Sequence, residues 1–295
     1  MKNMGISERF KRAFKGKIKE RVNLKNYSYM HTGGYAEQLF LPATIEDLKL
    51  LHEEFNSVDI IGNGSNVLFK GNIDRIAVIS DIFNSTISVV EDTITASAGI
   101  SLPHVARVAY ENALSGMEEL IGIPGTIGGA IRMNAGAYGK TIFGLLKNIT
   151  VFNMKSGEIT NLNMSELKPT YRDGGFDEDN IVIEAELKLT REDRNYMLNR
   201  MINFSINRRM RQPMGGYSLG SIFKNPKQYP AGWLIETCGL KGKRIGGAFV
   251  SQKHANFIIN DGTATSKDIL DLIDLIRTRV AEKFNVELEL EIVLL

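Results

Sequence analysis

The sequence predicts an α+β protein with a boundary near residue 190, on three observations. Short β-rich runs alternate with amphipathic stretches that carry helix caps. The composition shifts at about Thr190, ahead of a helix that ends in Arg208-Arg-Met-Arg211 and is stopped by Pro213. Two glycine clusters, Gly62-Asn-Gly-Ser-Asn66 and residues 120–139 with six glycines, interrupt the pattern where regular structure is not expected. Glycine loses the most conformational freedom on folding, so such a run inside a helix or strand would be costly.

In order along the chain, residues 1–22 form a basic amphipathic arm. Ile6, Phe10, Phe14 and Ile18 recur every four residues and so share one helical face. Docking of that face on the protein's own surface is the plain reading, and contact with a membrane or polyanion is the alternative. Residues 36–41 read as a strand. Thr44 caps a helix running to about Phe55, with Asp47 completing a capping box. Residues 58–61 lead into the first glycine cluster, and 76–79, 87–90 and 93–96 are short β-rich runs. Residues 98–101 open a helix through Ala113, with Gly116 just past its end. After the glycine loop, 149–154, 158–161 and 181–189 read as strands, with Ser156-Gly157 as a hairpin turn. Residues 195–211 are helical, Ser266 caps a last helix to about Phe284, and 286–294 is a closing strand.

Backbone N–H groups turned outward in glycine-rich loops form nests for anions, and a diphosphate is the usual anion of a cofactor. A tightly packed turn is the plain alternative for one glycine run, but a second cluster after the apolar residues 58–61 argues for a cofactor. Neither cluster reads G-x-G-x-x-G, since Val67 stands where a Rossmann turn needs its third glycine. The expectation is a dinucleotide on a domain that is not a Rossmann fold.

Bulk properties narrow the class. At 295 residues, two or three packed units are expected. The 43% hydrophobic and 24% charged content is that of a globular protein, and a net charge of +2 argues against a dedicated nucleic-acid surface. No run approaches the eighteen or so apolar residues of a membrane span, and no signal peptide is evident, so a cytoplasmic location is expected. Cys238 is the single cysteine, read as a small apolar side chain and not a catalytic thiol. Four scattered histidines offer no H-x-x-x-H pair, so no metal site is expected.

The two glycine clusters, together with Gly220-Ser-Ile-Phe-Lys-Asn-Pro226, Pro230-Ala-Gly-Trp-Leu-Ile-Glu236 and Ile245-Gly-Gly-Ala-Phe-Val-Ser-Gln-Lys-His-Ala-Asn-Phe257, carry a resemblance. From about Asn23 onward the chain resembles the UDP-N-acetylenolpyruvoylglucosamine reductase family, flavoenzymes that complete UDP-N-acetylmuramate for peptidoglycan. The resemblance implies an FAD-binding fold of the vanillyl-alcohol-oxidase (PCMH) type over residues 23–190, in subdomains of about 23–80 and 81–190. It also implies a smaller α/β substrate-binding domain over 191–285, and a closing strand, 286–295, returning to the first subdomain.

It further implies tightly bound FAD, NADPH as hydride donor and an enolpyruvyl UDP-sugar as substrate, in a monomer or weak oligomer. By the amide logic Gly62, Asn63, Gly64, Ser65 and Asn66 cradle the diphosphate with Gly122, Pro124, Gly125, Thr126, Gly128, Gly129 and Ala130. The side chains of Ser65, Asn66 and Thr126 add hydrogen bonds. Asn134 and Gly136 approach the flavin ring, and Gly33-Gly34 brings backbone close to the cofactor. Three catalytic residues follow by resemblance. Ser221 matches the proton donor, Arg172 the arginine that stabilises developing negative charge, and Glu291 a terminal glutamate. Residue chemistry alone reads Ser221 as a turn residue. It places Glu287, Glu289 and Glu291 on one strand face without choosing among them. For the UDP portion the candidates are Tyr171, Lys224, Asn225 and the Arg208, Arg209, Arg211 cluster, since diphosphate recognition needs cationic donors. That cluster reads equally well as cations at a helix C-terminus.

The chain departs from the family pattern in three places. Asp173-Gly174-Gly175 stands where a serine is usual, His31 where a lysine or arginine precedes Gly33, and the chain stops at Leu295 without a short tail. No room exists for the longer subclass's tyrosine-bearing loop, so the chain resembles the compact subclass. The rival readings are another FAD-dependent oxidoreductase of the superfamily and a non-catalytic flavin or sugar-nucleotide module. Ser221 with Glu291 speaks against the first, and the presence of all three catalytic candidates against the second.

Overall fold

The computed structural model describes residues 6–295, so the first five residues of the arm lie outside the described residues. Helix α1 (Glu8–Ala13) starts at Ser7, whose side chain accepts from Phe10 N, and stops after six residues. The expected period-four helical face is therefore cut short. Ile6, Phe10 and Phe14 are buried, Phe10 lying against Phe14, Phe40 and Phe55, but Ile18 belongs to the strand Lys17–Asn23. Gly16 explains the break: a Cβ there would lie 2.0 Å from the Leu41 carbonyl oxygen. The chain must pass flat against its neighbour at that point.

Helix α2 (Ile45–Glu54) has both bonds of the Thr44–Asp47 capping box. Asp47 is fully buried and also accepts from Lys15 N at 2.7 Å, which fastens the arm. Helix α3 (Leu102–Glu111) is capped by Ser101 and ends two residues earlier than expected, with Ala113 at φ +55° just beyond it. Helix α4 (Ile127–Arg132), capped by Thr126, contains Gly128 and Gly129. The expectation that these glycines avoid helix is corrected. A Cβ on Gly128 would sit 2.9 Å from the Ala98 Cβ, so glycine lets α4 lie that close despite its low helix propensity. Helix α5 (Arg194–Arg211) matches the predicted span within one residue.

A four-stranded sheet runs in the order Lys17–Asn23, Tyr35–Leu41, Ile73–Val78, Asp59–Ile61. By contact, the chain divides into two units. The first comprises the described residues to Glu20, Gln38–Asn63 and Arg75–Ser205. Its five-stranded antiparallel sheet has the order Ile159–Asn163, Leu146–Asn153, Asn180–Lys188, Thr93–Ser97, Ile87–Val90. Leu102, Val105 and Ala109 of α3 and Ile127 and Ile131 of α4 join Ile94, Ile149 and Ala185 of the sheet in one core.

The second unit comprises Arg21–Glu37, Gly64–Asp74 and Ile206–Leu295. Division by contact thus falls inside α5 and not at 190, and two early segments belong with the C-terminal part. Helices α6 (Ala231–Thr237) and α7 (Ser266–Phe284) share a core with the three-stranded sheet Arg244–Ile245, Ala248–Val250, Ile258–Asn260. The cap of α7 is Thr265, with Asp268 completing the box, not Ser266. Thr265 has the extended φ and ψ a cap needs, whereas Ser266 is already helical. The closing strand shortens to Val293–Leu294, parallel to Val67–Leu68. Upstream of it, Phe223↔Leu290 forms an isolated bridge.

One ionic cluster anchors α5 within the first unit. Arg200 pairs with Glu118 at 2.6 Å and with Glu192, and donates to Ser115 Oγ. Burial raises the Glu118 pKa, but Arg200 and the Gly116 N–H outweigh it and hold it below its ordinary value. Arg200 and Ser115 draw Glu192 down to about 2. Both folded pKa values are depressed below the unfolded ones. Their stabilisation is therefore complete above about pH 4.3 and disappears as pH falls through the folded values. Arg200→Met should flatten acid unfolding between about pH 4.3 and 2. At neutral pH it should lower stability, by less than loss of a fully buried pair because the Arg200 side chain is 37% exposed. Urea titrations across that pH range check both expectations.

Candidate active site

In the first unit, Gly62 and the start of α4 line one cleft with Ile61, Ala98, Arg132 and Val182. A Cβ on Gly62 would lie 2.6 Å from Thr126 Oγ1. Glycines here leave the backbone bare beside a space with an apolar wall, which is what a dinucleotide needs for close approach. Thr126 Oγ1 accepts from Gly129 N at 3.3 Å, so that side chain is engaged as a cap. Asn134 has φ +39° and donates Nδ2 to Thr170 O at 2.8 Å, which fixes its amide orientation. Its Oδ1 is buried with no hydrogen-bond partner. A buried acceptor left open costs about 1–3 kcal/mol and calls for a donor from a ligand. The bare glycine backbone and this open acceptor fit FAD.

Arg172 occupies a tight turn closed by Thr170 and Asp173, each donating its N–H to the other's carbonyl at 3.0 and 3.3 Å. Its φ is +61°, a region that non-glycine residues adopt at a cost of about 1–3 kcal/mol. Strain of this kind persists where surroundings over-determine it, and here they do. Thr170 O also accepts from Asn134, Gly174 N donates to Arg132 O, and Arg172 Nη2 donates to Gly136 O. Asp173 Oδ1 accepts from Gly175 N at 2.8 Å, so the departure at Asp173-Gly174-Gly175 closes a turn of its own. The guanidinium lies 5.0 Å from the centre of the exposed Tyr171 ring.

In the second unit, Ser221 bridges to Phe257 and lies beside the segment that carries Glu291. Glu291 N donates to Ile222 O, and Lys224 N to Glu289 O, both at 2.8 Å. Among the three glutamates that the sequence leaves equivalent, Glu287 and Glu289 are exposed and Glu291 is half-buried. Lys224 lies 3.7 Å from the Glu289 carboxylate.

Other expectations are redistributed. The Asn225 Oδ1 accepts from Ala231 N at the start of α6. Arg209 and Arg211 are exposed in the last turn of α5, where Lys253 Nζ donates to Arg209 O, so the C-terminal-cation reading has a structural basis. Gly33-Gly34 approaches protein, not open space: a Cβ on Gly34 would meet Asn72 Oδ1 at 2.3 Å and Gly71 backbone at 2.6 Å. His31 stacks on Tyr217 with ring centres 3.8 Å apart.

Comparison with known proteins decides the family. The FAD binding domain model matches residues 36–163, and the C-terminal domain model of UDP-N-acetylenolpyruvoylglucosamine reductase matches 212–295. The UDP-N-acetylenolpyruvoylglucosamine reductase of Listeria innocua is 42% identical over 281 residues, covering 93% of this chain and 94% of the relative. This chain belongs to the UDP-N-acetylenolpyruvoylglucosamine reductase family. The Clostridium tetani reductase is 39% identical over 94% of this chain and 92% of its own. The crystal structure of the Thermus caldophilus enzyme superposes with a TM-score of 0.82 at 34% identity, over 95% of this chain and 99% of that one.

One residue of this reductase escaped the sequence reading, and another was read there in a different role. Arg132 donates to the carbonyls of Phe176, Asp177, Glu178 and Asn180 and lies 4.2 Å over the Phe176 ring. It thereby ties the loop after Arg172 to α4. A signal was present, since Arg132 is the one charged residue among residues 120–139. Asn66 has a role that no local pattern announces: its Nδ2 donates to Glu291 O at 3.0 Å, 225 residues away.

Proposed function

We propose that the chain reduces UDP-N-acetyl-3-O-(1-carboxyvinyl)-glucosamine to UDP-N-acetylmuramate with NADPH, as a step in peptidoglycan precursor synthesis. FAD, when bound, supplies the relay of hydride from NADPH to the methylene carbon of the enolpyruvyl group. The protein's residues manage charge and protons. The Arg172 guanidinium, permanently charged and forked, holds the substrate carboxylate as negative charge grows on the adjacent carbon. Ser221 Oγ–H gives its proton to that carbon. Glu291, on the segment bonded to Ile222 next to Ser221, shapes the field in which the proton moves. Lys224 and the arginines at the end of α5 serve the UDP diphosphate. The observation that carries this reading is the pairing of the Ser221 and Glu291 segments through the Glu291 N to Ile222 O bond. The glycine-lined cleft that fits FAD supports it.

The proposal includes a cytoplasmic location and a monomer or weak oligomer, which gel filtration checks. Among the described residues no helix is long and apolar enough to cross a membrane. The direct test begins with colour. Purified protein should be yellow, NADPH should bleach it, and the enolpyruvyl UDP-sugar should restore the flavin band. A colourless protein that FAD cannot reconstitute defeats the reading. Arg172→Lys keeps the charge but loses the fork, so turnover should fall by roughly a hundredfold or more, as for a lost oxyanion donor. Glu291→Gln should impair turnover and Glu289→Gln should be mild; the reverse order would place the functional glutamate two residues earlier.

A further inference from the structure

The geometry points to Asn66 as the residue that positions Glu291, an inference that rests on the catalytic role proposed for Glu291. Asn66 ends the first glycine cluster. Its side chain reaches the C-terminal segment: Nδ2 donates to Glu291 O at 3.0 Å. Its own carbonyl accepts from Val293 N at 2.9 Å, so Asn66 grips the backbone on both sides of Ile292. Beyond it the parallel pairing Val67↔Val293 and Leu68↔Leu294 takes over. The Asn66 carboxamide therefore acts as one additional rung, placed where the backbone ladder has ended.

That rung falls at the residue where direction matters. Glu291 N is already held by Ile222 O at 2.8 Å. With Asn66 on its carbonyl, both backbone polar groups of Glu291 are bonded, one to the serine-bearing segment and one to the glycine cluster. The Cα–Cβ direction is set by backbone conformation, so fixing both peptide units aims the carboxylate. Glu289, two residues earlier, has its carbonyl bonded by the Lys224 backbone N–H, and its side chain is 78% exposed. The same five-residue cluster therefore offers bare backbone at Gly62 and, four residues later, orients an acid. Asn66 is a positioning residue: it touches the Glu291 backbone and acts through the side chain that backbone carries.

The test uses Asn66→Ala and Asn66→Asp in the FAD-loaded enzyme, with three readouts. Flavin content after gel filtration and the rate of bleaching by NADPH should stay close to those of the parent. Reoxidation by the enolpyruvyl UDP-sugar should slow by about 10–100-fold, the scale of a catalytic group misplaced by an ångström. In a Glu291→Gln background Asn66→Ala should add less than about twofold, because residues acting as a unit are non-additive. Hydrogen exchange of the peptide covering residues 288–295 should accelerate in Asn66→Ala. Loss of FAD with unchanged exchange in that peptide would overturn the inference and make Asn66 a cofactor ligand. Fully additive slowing would overturn it too. If Glu291→Gln itself leaves reoxidation intact, the catalytic reading of Glu291 falls, and the exchange measurement alone decides whether Asn66 holds this backbone.

Discussion

Gly129→Val should yield a folded protein that retains no FAD. Gly129 lines the cleft in the first unit, and a Cβ there meets only Thr126 Oγ1, at 3.4 Å. The protein itself therefore has room for the added Cβ. A cofactor passing along that wall does not, because two further methyl groups stand where bare backbone faced it. Helix propensity does not oppose the change, since valine is no worse than glycine in a helix. Gly125→Val should also fail to hold FAD, but for a different reason. Gly125 has φ +128°, which a β-branched residue resists, and its carbonyl accepts from Leu102 N at the start of α3. Strain there should lower stability as well as flavin content. The pair separates two causes that one variant confounds. Absorbance after gel filtration gives flavin content, and thermal unfolding gives stability. Full flavin content in Gly129→Val would show that the cofactor runs elsewhere.

Local signals made most elements legible in the sequence. The Thr44–Asp47 box is complete within four residues, and the start of α3 is marked within residues 98–101. The same locality explains the misreadings. α1 stops short because Gly16 must clear the Leu41 carbonyl, a contact across 25 positions that periodicity cannot register. Gly128 sits in a helix that packs on Ala98, 30 positions away. The glycines at 33 and 34 looked like ligand contacts and prove to be protein contacts, since sequence shows that backbone must come close but not to what. At the candidate site the residue types were legible and their geometry was not. Arg172 carries no sequence mark of its positive φ, which exists because Asn134, Gly136 and Arg132 hold the turn from outside. Residue chemistry left Glu291 as one of three alternating glutamates, and its bonds to Ile222 and Asn66 lie beyond any local pattern.

Ser221→Ala should separate the two halves of the reaction. The backbone around Ser221 does not depend on its hydroxyl. Ile222 N donates to Asn256 O, and the buried Asn256 amide bonds both the N–H and the C=O of Phe223, at 3.0 and 2.8 Å. With that segment held independently, removing one oxygen deletes a proton donor and little else. Reduction of the flavin by NADPH needs no proton from this hydroxyl, so bleaching should proceed at a near-parental rate. Reoxidation by the enolpyruvyl UDP-sugar should slow by about 10²–10⁴-fold, the usual worth of a positioned general acid. Ser221→Cys should recover part of the loss, since a thiol also donates a proton. Stopped-flow absorbance at the flavin band follows each half separately. Equal slowing of both halves would assign Ser221 to placing the cofactor, and an unchanged second half would remove it as the acid. The expected selective loss follows from the anchoring: Asn256 and Phe257 fix where the oxygen sits, and only the second half calls on its proton.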